Sequence, residues 1–459
     1  MQSNEMLVIA FYKGDFTLGI RLRLGLMMFL QYAIWGAWAP VLGTYLGPNP
    51  QGGIDATHLG FSGAQMGWIF ALLPLATIIS PTLFGQIADR WAPTQRVMAI
   101  LHMLAGISMI AMSTQTGFAG IIWLMAAFSF FYAPTLALSN SICFNHMKDP
   151  EREFGGLRVW GTIGWIVAGW VLSSARGGFG GIPTSGAWKS LSTAMTGVDF
   201  ILTPFANGAH AVMSLAGAKA DLLVLSGLAA IVLGVFSFAL PNTPPKKEGA
   251  NPFAFLEALK LFKNRNFTVF MVISFIVGTE LEFYYMLTAP FLAHLGISDG
   301  LIPWVMTVAQ AAEIIVMAIL LPRLLPKIGA RKMLAIGAIA WPLRYAIFAL
   351  LPIKSLVIAS LTLHGFCYVF FFVVGFIYVD TVAPKDIRAS AQSLMAIVIL
   401  GLGRCLGSLF TGTIRDLFTY NQTVNWQGLF LVPCFLTVAC AIAFLLAFKE
   451  QKVKAGVEG

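Results

Sequence analysis

Ionisable side chains interrupt long apolar stretches of this 459-residue chain: Arg158, Glu280, Glu282, Glu313, Arg344 and Arg404. On insertion scales such a group costs about 2.5–3.5 kcal/mol at the centre of a bilayer, so it faces a solvated cavity or a partner. A guanidinium donates hydrogen bonds in a planar fork; a carboxylate accepts them or exchanges a proton. Together they suit capture of a polar solute, proton exchange, or plain pairing between helices. Arg158, Thr162 and Trp165 are spaced four and three apart, which puts a cation, a hydroxyl and a ring on one helix face. Gln310 and Glu313 share a face for the same reason. Glu280 and Glu282 are two apart, roughly 200° around a helix, so only one can point squarely into a cavity. No H-E-x-x-H, G-x-S-x-G or metal-spaced His/Cys set accompanies them, so no enzyme, metal site or cofactor is expected.

The elements that must position these groups are apolar runs near 24–46, 65–87, 97–113, 118–140, 159–174, 222–240, 267–291, 302–324, 333–351, 356–379, 393–412 and 427–448. A lipid-spanning helix needs roughly 20 such residues. The composition agrees: 58% hydrophobic, 11% charged, mean hydropathy +0.80, against about 25% charged in soluble domains. Helices are expected because backbone polar groups in lipid must be satisfied within the segment, and the runs are too continuously apolar for barrel strands. Pro81, Pro134, Pro290 and Pro342 lie inside them, where neighbouring helices tolerate kinks. The five cysteines also fall in these runs and read as small core residues.

Most of the 29 Lys and Arg residues flank one side: Lys13, Arg21 and Arg23 before the first run, then Arg90, Arg96, Lys148, Arg152, Arg158, Lys246, Lys247, Lys260, Lys263, Arg265, Arg323, Lys327, Arg331, Lys332, Lys385, Arg388 and the tail lysines Lys449, Lys452 and Lys454. The other side holds Arg176, Lys189, Lys219, Lys354 and Arg415. The positive-inside rule makes the first side cytoplasmic, with both termini on it. This bias accounts for the net charge of +9 without a nucleic-acid partner. The first run is too long for a signal-peptide core and about twenty residues precede it, so no cleavable signal peptide is expected.

A polar, basic connection at 241–266 follows Pro241, Pro244 and Pro245, which stop the sixth helix. It divides the chain into an N-terminal six-helix half, 1–240, and a C-terminal half, 267–459. Two six-helix halves around a midplane site are the plan of major-facilitator transporters. An outward connection at 175–221 begins with Gly-rich 177–181 and reads as an outer cap or interfacial helix. Gly403 and Gly407 form a small-x-x-x-small pair expected to pack span eleven within the chain, as in a monomer.

After the second run stand Gly85, Asp89, Arg90 and Arg96, which resemble the major facilitator superfamily's signature between its second and third helices. There they are expected to latch helix ends by charge pairing. Longer stretches resemble the bacterial nucleoside:proton symporter (nucleoside permease) family: FLQYAIWGAWAPVLGTYL, APTLALSNSI, LRVWGTIGW, GTELE, AQAAE, AWPLRYAIFA, IRASAQ and Trp426-Gln427. They cover both halves in order. The resemblance implies an all-α, twelve-helix carrier importing nucleosides with protons by alternating access. It places Arg158, Thr162, Trp165, Glu282, Tyr285, Gln310, Glu313 and Tyr368 at substrate-binding positions.

This chain departs from that pattern. Glu282 and Tyr285 stand where the family has Gln and Asn. Tyr368-Val369 replaces an aromatic followed by Asp, the family's proton-coupling carboxylate. A valine carries no proton. Either coupling has moved to Glu282 or Glu313, or the protein is an uncoupled facilitator, or its cargo is a sugar or another polar metabolite. Asp380 reads as structural and His364 as a packed polar residue.

Overall fold

The computed structural model describes residues 18–49, 58–148, 150–182, 184, 189–216, 220–245, 254–384 and 387–449. Long apolar sequence becomes helix here because a helix satisfies its own backbone. Spans one to four are Gly19–Leu46, Gly63–Arg90, Thr94–Ser113 and Phe118–His146; span seven is Arg265–His294. The 49-residue stretch Ile302–Leu350 is two spans, eight and nine. Gly329, at φ 76° and ψ 164°, breaks it, a conformation that glycine adopts at no steric cost. Spans ten to twelve are Lys354–Val382, Ser390–Leu417 and Trp426–Ala447. Span five, Pro150–Ala175, and span six, Asp221–Ser237, bring the number to twelve among the described residues. Span five begins well before the apolar run at 159. A helix can continue through polar residues outside the bilayer, so hydropathy marks the lipid crossing and not the helix end.

The outward connection contains a helix, Lys189–Ala216, as the cap reading expects. It rests on the chain's own surface: Met195 and Leu202 cluster with Val171, Phe179 and Ile182, and the Ser174 hydroxyl donates to Asp199 Oδ1 at 2.5 Å. On the other face, a 3₁₀ helix at Ala254–Lys263 packs on the start of span eleven, Arg388–Ala396. Lys13, Lys219, Lys246, Lys247, Lys385, Lys452 and Lys454 lie outside the described residues.

Spans one to six pack among themselves and spans seven to twelve likewise. The halves meet where span two lies against span eleven and span five against span eight. Gly407 sits so close to span seven that a Cβ there would lie 2.5 Å from the Thr279 carbonyl oxygen. The Gly403/Gly407 pair therefore seats span eleven against span seven inside the chain.

The hydrogen bonds that join the halves, among the described residues, gather on the face opposite the termini. Asp416 of span eleven accepts from the Gly63 and Ala64 amides at 2.5 and 2.8 Å. A carboxylate is favoured there because the first amides of span two lack intrahelical partners. Arg415 donates to the Phe61 carbonyl at 3.2 Å, the Trp304 amide to Ser173 Oγ at 2.9 Å, and Trp170 Nε1 to Thr307 Oγ1 at 3.0 Å. His58 Nε2 lies 3.4 Å from Asp299 Oδ2. The conformation is closed on that face. Asp89, Arg90 and Arg96 have no side-chain partner among the described residues, and the two halves share no described hydrogen bond on the terminal face.

Candidate functional site

Spans one, five, seven, eight, ten and eleven bring their polar residues to the gap between the halves. On the N-terminal side, Arg158 lays its guanidinium carbon 3.9 Å from the centre of the Tyr32 ring. Such stacking offsets part of the cost of burying a cation. Two helical turns further along span five, Trp165 stands edge-on to Trp35 at 5.3 Å and 6.4 Å from Tyr285 across the gap. Thr162, between Arg158 and Trp165 on the same face, stays partly exposed. The four-and-three spacing thus does deliver cation, hydroxyl and ring to one side.

On the C-terminal side Glu282 is fully buried. Arg404 Nε donates to its Oε1 at 2.5 Å and the Ser408 hydroxyl to its Oε2 at 3.1 Å. Arg404 also lies over the Tyr285 ring at 4.8 Å and the Trp35 ring at 5.6 Å. Gln310 is buried with its Oε1 unpartnered. Glu313 and Tyr368 remain partly exposed. Arg158 and Glu313 close no ion pair among the described residues. The Arg–Glu pair that does form is Arg404–Glu282.

The two span-seven acids diverge as their spacing requires. Glu280 is fully buried, and neither carboxyl oxygen has a hydrogen-bond partner among the described residues. Arg344 and His364 are sealed directly behind the site: Arg344 Nη1 lies 3.2 Å from His364 Nδ1, and His364 stacks on Tyr284 at 4.5 Å and on Tyr368 at 5.8 Å. His364 is packed, as its sequence context suggests. Asp380 lies 3.5 Å from Arg388 at the terminal face, and Val369 is fully buried. A recess of about 340 Å³ lined by Tyr45, His58, Arg176, Asp221 and Asp299 lies by the closed face, apart from the central residues.

Sequence reasoning missed Tyr32, Trp35, Arg404 and Ser408 as members of the site. Tyr32 and Trp35 are three apart on span one, a spacing that was open to reading. Three π-helical stretches, Val316–Leu320, Phe366–Val373 and Ile397–Gly403, adjoin or contain Glu313, Tyr368 and Arg404. Such widened turns recur at functional sites, and they rotate the residues beyond them out of an ideal helical phase.

A family model described as Nucleoside H+ symporter matches residues 18–185 and 191–453. The putative nucleoside transporter YegT of Escherichia coli (strain K12) is 33% identical over 443 residues, covering 94% of each chain. The xanthosine permease of the same organism is 28% identical over 462 residues, covering 95% of this chain and 99% of the permease. The crystal structure of the nucleoside transporter NupG superposes with a TM-score of 0.75 at 27% identity, covering 95% of this chain and 100% of NupG.

Proposed function

The chain belongs to the nucleoside:H+ symporter family, and from that premise we propose that it imports nucleosides with protons by alternating access. The observation that carries this is the central assembly: Trp165 of one half meets Tyr285 of the other, and Trp35 of the first lies against the Arg404–Glu282 pair of the second. Rings on both sides suit a base, and the partly exposed Arg158, Thr162 and Glu313 suit ribose hydroxyls. One closed face and one without cross-links is the arrangement that rocking halves pass through. On the positive-inside rule the terminal face is cytoplasmic, so this conformation opens inward.

Glu313 is the better proton carrier of the two candidate acids. A coupling carboxyl must reach water and must lack a fixed counter-cation. Glu313 is partly exposed and has no ion-pair partner among the described residues, whereas Glu282 is sealed against Arg404 and Ser408. Binding of a proton there loosens the attraction to Arg158, which a nucleoside can then use. The working unit is a monomer in the bacterial inner membrane, with both termini cytoplasmic.

Radiolabelled nucleoside uptake into proteoliposomes tests this. An acid-outside gradient is expected to accelerate uptake and a protonophore to abolish the acceleration. Glu313→Gln is expected to retain nucleoside exchange but lose the response to the gradient. Uptake by wild-type protein that ignores the gradient would make it a facilitator, and sugar uptake in place of nucleoside uptake would remove the substrate class.

A further inference from the structure

Arg404 uses little of its hydrogen-bonding capacity. A guanidinium has five N–H donors; here Nε serves Glu282, and the two terminal amino groups make no hydrogen bond among the described residues. The side chain is 10% exposed, so these donors sit at the edge of the gap and not in sealed packing. Glu282, held by Ser408, fixes the direction of the fork. The acid also cancels the charge, so the pair together calls for a neutral ligand and not an anion.

Around the fork stand three rings. Tyr285 and Trp35 lie 4.8 and 5.6 Å from the guanidinium carbon, and Trp165 contacts both of these rings. Aromatic surfaces accept the flat face of any nucleobase. The fork then decides which edge is accepted. Arg344 cannot take this role, since it is fully buried against Tyr284, Trp341 and Tyr345.

On the nucleoside reading above, we propose that Arg404 is a specificity-determining residue that favours 6-oxopurine nucleosides. Those bases present O6 and N7 side by side, two acceptors at the spacing a guanidinium fork matches. Adenine puts an amino donor beside N7 and opposes a donor with a donor. Uracil has no such pair, because its N3–H donor separates O4 from O2; cytosine's N3 and O2 do form one, so the fork alone does not exclude cytidine. Glu282 acts through Arg404 as its positioning residue.

The test is equilibrium binding to the purified full-length protein with inosine, adenosine and 7-deazainosine, read as affinity ratios. Inosine and adenosine differ in the group at position 6, and 7-deazainosine lacks only the N7 acceptor. Inosine is expected to bind about tenfold more tightly than either, in keeping with one well-made bidentate contact. Arg404→Lys keeps the charge opposite Glu282 but replaces the planar fork by a point donor, and should lower both ratios. The neutral pair Arg404→Met with Glu282→Met, which offers no donor to either base edge, should do the same, which separates loss of recognition from damage by an unpaired charge. Equal binding of the three ligands by wild-type protein, or an inosine preference that survives both variants, overturns the proposal while leaving nucleoside transport standing. Binding of none of them, with sugars bound instead, overturns the nucleoside reading and this inference with it.

Discussion

At the scale of single residues, the account turns on which charges are paired. Removing one member of a buried ion pair costs about 3–5 kcal/mol, whereas replacing both by apolar residues of similar volume is often neutral. Arg404→Met alone is therefore expected to lower thermal stability in detergent sharply, because Glu282 at 0% exposure keeps a charge without a partner. Arg404→Met with Glu282→Met should recover most of that loss. A single variant as stable as the parent would mean that the pair is not sealed as described. The pairing was not legible in the sequence. The two residues are 122 positions apart, and the π-helical stretch ending at Gly403 shifts Arg404 from the face an ideal helix would give it. The four-and-three spacing of Arg158, Thr162 and Trp165 was legible because span five is regular α-helix there.

At the scale of elements, the closed face depends on helix ends. Span two starts with a Ser62–Gln65 capping box and also takes Asp416 from the opposite half on its free amides. Loss of such a cap costs about 1 kcal/mol, or about fivefold in a two-state equilibrium. Asp416→Ala should therefore raise the reactivity of a cysteine placed at Thr44, which lines the recess by that face, towards a membrane-impermeant maleimide added from that side. Unchanged reactivity would show that Asp416 does not hold the halves together. Element existence was readable from apolar length, including the split of 302–324 from 333–351, which Gly329 enforces. The helical start of span five was not, since hydropathy is silent about helix outside lipid.

At the scale of the whole molecule, alternation requires two conformations separated by only a few kcal/mol. The side-chain bonds that join the halves on the closed face contribute about 0.5–1.5 kcal/mol each, so the alternative state needs contacts of comparable worth on the terminal face. Asp89, Arg90 and Arg96 stand there without side-chain partners among the described residues, and the latch proposed for them would supply such contacts once that face closes. Asp89→Asn should remove part of that support and shift the population towards the present conformation, reducing maleimide access to a cysteine at Thr44 and slowing uptake. Faster uptake or greater access would contradict the latch. Two six-helix halves were legible from the proline-rich, basic break at 241–266. Which face is closed was not, because one sequence supports both states.

On the function proposed above, a solvated nucleoside site lies between the halves and opens to one face at a time. Thr162, partly exposed between Arg158 and Trp165, reports on it directly as Thr162→Cys in a background with the five native cysteines replaced. In sealed vesicles of defined orientation, an impermeant maleimide should reach that cysteine from the terminal face, and nucleoside should slow the reaction. No reaction from either face, or reaction indifferent to nucleoside, would contradict it.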